Sequence, residues 1–308
     1  MLEAEAETGF IGVYSAGLAI KKIYETDFEV KMKSADDPVT KADMDAHYAI
    51  HDAIQNSFPG NILLSEEVLP TWKDRQSAQR VWILDPLDGT RDFVERNPEF
   101  AVSLGLVDSK GLILGFVYNP VTGEFSYGDK FGRMVQMDIL DANFQSAKLE
   151  FLDKLNLSLK SNERKESAKN LDQVIHNTEL YQDLLEKEIT IFVSRKELAE
   201  KLFDNLKLSS NFKIIGKGSI AYKLSLLSRS ECDLVISLKP KNEWDICGGL
   251  AIIEANGFDY LEIKTKSKQV FNQEDTRSYG LIAGRSDLVK AFWNRYEKIL
   301  IESLRDWN

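Results

Sequence analysis

Trp82-Ile83-Leu84-Asp85-Pro86-Leu87-Asp88-Gly89-Thr90 is an apolar run that ends in two aspartates three residues apart, with a Gly-Thr step directly behind them. A run this apolar reads as a buried strand. Its end gathers two hard carboxylates, Asp85 and Asp88, and the backbone carbonyl of Leu87, a donor set suited to a cation such as magnesium. Gly89-Thr90 leads into Arg91-Asp92-Phe93-Val94, and a helix opening there would offer exposed N–H groups to an anion. A cation site beside an anion site points to phosphoryl chemistry.

Three other segments carry the same signature. Asn61-Ile62-Leu63-Leu64-Ser65-Glu66-Glu67 is a second apolar strand delivering carboxylates at its end. Asn242-Glu243-Trp244-Asp245-Ile246-Cys247-Gly248-Gly249 precedes a helical pattern, so Asp245 is expected near a helix N-terminus, with two glycines allowing close backbone approach. In Asp37-Pro38-Val39-Thr40-Lys41-Ala42-Asp43, Pro38 reads as a turn, Thr40 as a helix cap and Asp43 as a first-turn acid.

These four pieces, in this order, resemble the magnesium-dependent phosphatase superfamily of inositol monophosphatase, fructose-1,6-bisphosphatase and the 3′(2′),5′-bisphosphate nucleotidases. The resemblance runs from about residue 10 to about residue 285 and thins in the middle. It implies a layered αβαβα sandwich, α+β in one half and α/β in the other. It also implies two to three magnesium ions held by Glu66, Asp85, the Leu87 carbonyl, Asp88 and Asp245. Asp43 and Thr90 match the pair that orients and deprotonates the attacking water, and Glu67 a supporting or third-metal carboxylate. The backbone of Gly89 and Thr90 matches the phosphate-binding turn, and lithium sensitivity is implied as well.

Composition narrows the remaining classes. A net charge of −10 over 308 residues argues against a nucleic-acid polymer as partner. Cys232 and Cys247 have neither metal-ligand spacing nor scaffold density, and read as buried thiols of a cytoplasmic protein. The acidic start, Met1-Leu2-Glu3-Ala4-Glu5, is unlike a signal peptide, and no apolar run approaches membrane-spanning length. The expected partner is a small phosphorylated metabolite, with no membrane, and the chain a monomer or homodimer.

Periodicity and composition divide the chain into an N-terminal α+β half (1–140), a charged insertion (141–187) that reads as a helical hairpin or partly mobile loop, and a C-terminal α/β half (188–308). Helices are expected at 3–25, burying Ile11, Ala16, Leu18, Ile20 and Ile23, and at 40–57. Strands follow at 62–65 and 80–85, a hairpin over 99–118 and a strand at 124–128. The insertion, with Leu149, Phe151, Leu152, Leu155 and Leu157 as scattered apolar positions, reads as a surface ornament or a lid. Beyond it, strands at 189–194, 212–215, 232–238 and 279–283 alternate with helices at 195–206, 219–228, from 244, and 286–305, the pattern of a mixed or parallel sheet.

Bland readings compete at several positions. Trp82 and Trp244 read as core. His47 and His51 share a helix face but lack a glutamate placed for a zinc site, and His176 stands apart. Ser219, opening a helix after Gly216-Lys217-Gly218, is a candidate leaving-group contact. Lys217, Lys239 and Lys241 are either surface or, for Lys239 above all, contacts for a second phosphate. Leu64-Ser65-Glu66-Glu67, Asp43-Met44-Asp45-Ala46-His47, Arg91-Asp92-Phe93 and Arg96-Asn97-Pro98-Glu99-Phe100 are more similar to the bacterial bisphosphate nucleotidases, which hydrolyse 3′-phosphoadenosine 5′-phosphate to AMP and phosphate. Gly218-Ser219-Ile220-Ala221-Tyr222-Lys223 follows the inositol-1-phosphatase pattern instead. A regulatory or binding protein with vestigial catalysis is the alternative of another class.

Overall fold

The structure, a computed structural model, describes residues 2–26, 30–34, 37–140, 142–166 and 184–304; the side chains of 30–40 and 159–166 lie outside that description. β1 (Val30–Ser34) and β2 (Asp37–Thr40) pair as an antiparallel ribbon, so the segment read as a turn at Pro38 is a strand. β3 (Ile62–Ser65), β4 (Arg80–Asp88), β5 (Ala101–Asp108), β6 (Gly111–Tyr118), β7 (Glu124–Asp129) and β8 (Met134–Asp138) form a sheet in chain order. β3 and β4 are parallel and the later neighbours antiparallel. β4 is buried from Val81 to Leu87 because helices cover both sheet faces, which explains its unalternating apolar run.

One irregularity in β4 matters for chemistry. In a regular strand, residues three apart point to opposite faces. Asp85 lies opposite Ser103 and Asp88 opposite Ala101, with the register broken between them at Pro86-Leu87. That bulge, placed where proline has no N–H to give the ladder, lets both aspartates reach one cleft.

The second sheet holds β9 (Ile189–Ser194), β10 (Phe212–Lys217), β11 (Leu234–Asn242), β12 (Asp259–Glu262) and β13 (Arg277–Gly284) in the order 10-9-11-13-12. It is parallel from β10 through β9 to β11 and antiparallel beyond, the mixed sheet expected from alternating strands and helices. The helix after β9 is shorter than expected, Arg195–Ala199, followed by a 3-10 turn at Asp204–Leu206.

Three cores hold five layers together, the central one reaching both sheets from the middle helices. Helices Glu3–Tyr24, Lys41–Ser57 and Phe144–Glu166 cover the outer face of the first sheet, around Phe10, Trp82, Phe116, Phe125 and Phe151. Helices Ile220–Ser228 and Glu243–Ala255 fill the space between the sheets, with Trp244, Cys247 and Leu250 in the central core. Ser286–Ser303 covers the outer face of the second sheet with Phe292 and Tyr296. The αβαβα sandwich is therefore the fold. The buried stripe of the first helix is Phe10, Val13, Ala16, Gly17 and Ile20; Leu18 faces solvent and Ile11 and Ile23 are only partly covered, because Phe10 and Tyr14 set the face.

Part of the expected insertion belongs to the core. Phe151 and Leu155 are buried and Phe151 stacks on Phe10 at 4.8 Å between ring centroids, while Leu149 and Leu157 are exposed. Residue 141 and residues 167–183, including His176, lie outside the described residues.

The central helix sits against the first sheet with almost no space between backbones. A Cβ on Gly248 would stand 2.7 Å from the Phe116 carbonyl and 2.8 Å from Ser103 Oγ. Gly248→Ala should therefore cost about 1–3 kcal/mol by overpacking, read as a lowered urea midpoint. It should also weaken whatever Asp245, three residues earlier, contributes to function. An unchanged midpoint would show that the contact is loose.

Candidate active site

Strand ends from the first sheet and helix starts from the central layer open on one cleft of about 710 Å³, within the range of small-molecule sites. Glu66, Asp85, Leu87, Asp88, Gly89, Thr90, Ser219 and Asp245 all line it. Asp43 is buried in the first turn of its helix, close enough for its charge to act on Asp85. Glu67 and Lys239 are not among the lining residues. Glu67 acts electrostatically on His47, and Lys239 pairs with Glu200, itself a lining residue. Lys241, two residues on, does line the cleft.

Local bonds fix these groups. Gly89 adopts a left-handed conformation (φ 95°) with Phe100 and the Glu99 carbonyl about 3.1 Å from where a Cβ would be, so the turn after Asp88 requires glycine. The following helix, Thr90–Val94, is only five residues long. Thr90 Oγ1 donates to the Leu87 carbonyl at 3.1 Å, and the Leu87 N–H donates to Asp85 Oδ1 at 3.0 Å. Asp88 Oδ2 accepts from Ser219 Oγ at 2.6 Å and from the Ala221 N–H at 2.7 Å. Asp245 Oδ2 accepts from the Asn242 N–H at 2.8 Å, half of a capping box. Ser219 is thus committed to Asp88 and to capping its helix through the Tyr222 N–H.

Each of Asp85, Asp88 and Asp245 thus keeps, among the described residues, one carboxylate oxygen with no hydrogen-bond donor. Among the described residues no three His, Cys, Asp or Glu side chains are already drawn in around one point. The donor chemistry nevertheless fits a hard divalent cation: carboxylates from three segments line the same cleft, with the Leu87 carbonyl beside them. Burial raises Asp85 well above the ordinary carboxylate range, helped by the charges of Glu66, Asp88, Asp245 and Asp43. Burial, then Asp88, pushes Asp245 up to about 7. Asp88 is also raised by burial, against the bonds from Ser219 and Ala221 that favour its charged form. Mutual repulsion of this kind is relieved by bound cations.

The side of the cleft built from the second half of the chain is rich in basic groups. Arg195, Lys196, Lys217, Lys223 and Lys241 line it beside Glu200 and Asp245, and Arg91 lines the cleft with Glu66, Asp85, Asp88, Asp92 and Glu95, so the lining is nearly neutral although the chain is strongly acidic. Much of that basic charge is engaged. Arg195 bridges Asp92 and Glu99, Lys217 reaches Glu99 at 3.0 Å, and Lys241 lies 3.6 Å from Glu197.

Sequence reasoning missed Arg195 and gave Lys223 no role. Lys223 is 2% exposed inside a wholly buried helix, and a lone lysine within Ile220-Ala221-Tyr222-Lys223-Leu224 was the available signal. The sequence gives His47 no function beyond sharing a helix face with His51. His47 is buried, its Nδ1 lies 2.9 Å from Ser65 Oγ, and Ser65 Oγ also accepts from the Glu67 N–H at 3.4 Å, so it braces the Glu66-Glu67 turn. Burial, then His51, lowers its pKa and favours the neutral ring. Both cysteines are buried and free, and Trp82 and Trp244 are core.

A sequence profile of the inositol monophosphatase family matches residues 6–306, and the chain belongs to that family. Among its relatives, the 3′(2′),5′-bisphosphate nucleotidase CysQ of Escherichia coli K12 is 45% identical over 109 residues, 35% of this chain and 44% of that protein. The match thus spans less than half of that relative's length. The fructose-1,6-bisphosphatase/inositol-1-monophosphatase of Thermotoga maritima is 26% identical over 246 residues, covering 80% of this chain and 79% of its own. The crystal structure of CysQ from Bacteroides thetaiotaomicron superposes with a TM-score of 0.69 at 25% identity, covering 92% of this chain and 98% of that one. Among the described residues no helix is long and apolar enough to cross a membrane.

The raised carboxyls give a signed pH dependence. Asp245, and Glu243, which burial pushes up to about 7, hold protons near neutrality that the unfolded chain has already lost. The folded state therefore binds more protons between the unfolded value, about 4, and 7, so stability falls as pH rises through that window. In chelator-treated protein the urea midpoint should drop between about pH 5 and about pH 7.5. A midpoint that climbs over the same range would contradict the cluster.

Proposed function

We propose that this protein is a magnesium-dependent phosphomonoesterase that hydrolyses 3′-phosphoadenosine 5′-phosphate to AMP and phosphate. The observation that carries the hydrolase reading is the meeting of Glu66, Asp85, Asp88 and Asp245, from three distant segments, in one cleft with the Gly89-Thr90 turn. Glu66, Asp85, the Leu87 carbonyl, Asp88 and Asp245 would hold two to three ions. When bound, magnesium would lower the pKa of water and offset charge on the leaving oxygen.

The remaining roles fall to the chain itself. Asp43, buried beside the carboxylates, would accept the proton of the attacking water, with the Thr90 hydroxyl orienting it. The Gly89 and Thr90 backbone would seat the phosphoryl group. Water oxygen bonds to phosphorus, the phosphorus–oxygen ester bond breaks, and the released nucleoside oxygen takes up a proton. Glu67, next to the lining, would support Glu66. A second phosphate would meet the basic wall, with Lys241 in the cleft and Lys239 behind it at the Glu200 rim.

The name borne by the Escherichia coli relative supports the nucleotide reading. Inositol-1-phosphate remains the second reading. It is favoured by the pairing of Arg195, Lys217 and Lys241 with carboxylates, since a monophosphate needs no further cation.

Phosphate release with magnesium, measured on 3′-phosphoadenosine 5′-phosphate, inositol-1-phosphate and fructose-1,6-bisphosphate, separates these readings. The nucleotide should give the highest kcat/KM. Asp88→Asn should lower kcat at least about a hundredfold on any active ester. Lys241→Ala should raise KM for the nucleotide more than for inositol-1-phosphate. Equal effects on both would remove the second-phosphate argument, and no turnover of any ester would favour a binding protein.

A further inference from the structure

Lys223 stands out because its surroundings do not explain it. Its ammonium is buried in the helix Ile220–Ser228, between the two sheets, and no carboxylate of the described residues lies within ion-pair distance. Burying a lysine without a paired charge is costly, and an apolar residue would fill the same space. The ammonium instead donates to two backbone carbonyls, those of Gly218 and of Ser219, the latter at 2.9 Å.

Those carbonyls belong to the turn that holds Asp88. Gly218 is fixed from the first-sheet side as well, its N–H donating to Glu99 Oε2 at 2.8 Å. A Cβ there would stand 2.3 Å from the Glu99 carbonyl and 2.6 Å from Asp92 Oδ2. Directly after it, Ser219 Oγ and the Ala221 N–H donate to Asp88 Oδ2, leaving Oδ1 as the oxygen without a partner among the described residues.

We propose that Lys223 is a positioning residue for Asp88: by clamping the carbonyls of Gly218 and Ser219 it fixes the turn that holds Asp88 Oδ2, and so presents Oδ1 to a cation in the cleft. Removing the ammonium takes away the only described hydrogen bond to the Gly218 carbonyl. Ser219 and Ala221 then lose their fixed approach, and Asp88, repelled by its neighbours, is free to turn. The inference rests on the metal-dependent reading of the cleft, not on the identity of the phosphate ester.

The test uses the full chain as wild type, Lys223→Met, Lys223→Gln, Ser219→Ala and the Lys223→Met/Ser219→Ala double variant. Magnesium binding without substrate is measured by calorimetry, and folding by urea unfolding in EDTA. Lys223→Met is expected to raise the magnesium Kd about tenfold or more, as loss of a group supporting a metal ligand does. Lys223→Gln, which keeps a donor without the charge, is expected to lose less. Ser219→Ala should add little in the Lys223→Met background, because both act through one turn.

A purely electrostatic lysine gives the opposite sign: removing a positive charge near the site would tighten magnesium. Unchanged or tighter binding in both Lys223 variants overturns the proposal, as does full additivity with Ser219→Ala. Should Lys223→Met not fold, Lys223→Gln and Ser219→Ala decide it by the same two readouts. A wild type that binds magnesium but hydrolyses none of the three esters removes only the substrate reading. A wild type that binds no magnesium removes the metal reading and this inference together.

Discussion

Everything at the cleft depends on how closely the helix Glu243–Ala255 packs against the first sheet. Gly248 lies against the Phe116 carbonyl and Ser103, and Gly115 on the sheet has no room for a side chain against the Gly248 carbonyl. With no Cβ between them, helix and strands approach almost backbone to backbone. That contact brings Asp245, in the helix's first turn, into the cleft that Asp85 and Asp88 line at the end of β4, close enough for their charges to act on one another. A helix held one side chain's thickness away would leave the last carboxylate outside the cluster.

The cluster is electrostatically unfavourable on its own, and the surrounding bonds are arranged accordingly. Each aspartate has one oxygen held by a protein donor: Leu87 for Asp85, Ser219 and Ala221 for Asp88, Asn242 for Asp245. These bonds orient the carboxylates and, among the described residues, leave their other oxygens without a donor. Burial and like charge together drive proton affinities up, as expected where carboxylates crowd without counter-ions. Stability has been given up locally to bring donors together, and three large cores around the two sheets offset that cost.

The basic wall shows a different economy. Arg195 and Lys217 are engaged with Asp92 and Glu99, which lie just after the Gly89-Thr90 turn, so the two walls of the cleft are joined across its rim. Partly exposed ion pairs of this kind add little to stability, and Glu99, which pairs with both cations, also accepts the Gly218 N–H. Lys223, deep behind the same turn, completes the connection from the second sheet's helix to Asp88.

Sequence alone determined a good deal. Strands at Ile62–Ser65, Ile189–Ser194 and the hairpin of β5 and β6 were legible because apolar runs bounded by turn residues have few other solutions. The Asp-Pro-Leu-Asp-Gly-Thr stretch with its companion segments marked Glu66, Asp85, Leu87, Asp88, Gly89, Thr90 and Asp245, and the fold places all of them along one cleft. It did not determine β1, β8 or β12, short strands whose pairing partners supply what their own patterns lack. Nor could spacing reveal that Asp85 and Asp88 share a face, since a regular strand would separate them and only the bulge at Pro86-Leu87 does not. The choice of Lys241 over Lys239 in the lining, and the burial of Lys223 against the turn holding Asp88, were likewise settled by tertiary structure. Local pattern fixes which residues are apolar or charged along one segment, whereas the meeting of side chains from different segments depends on how closely the layers pack.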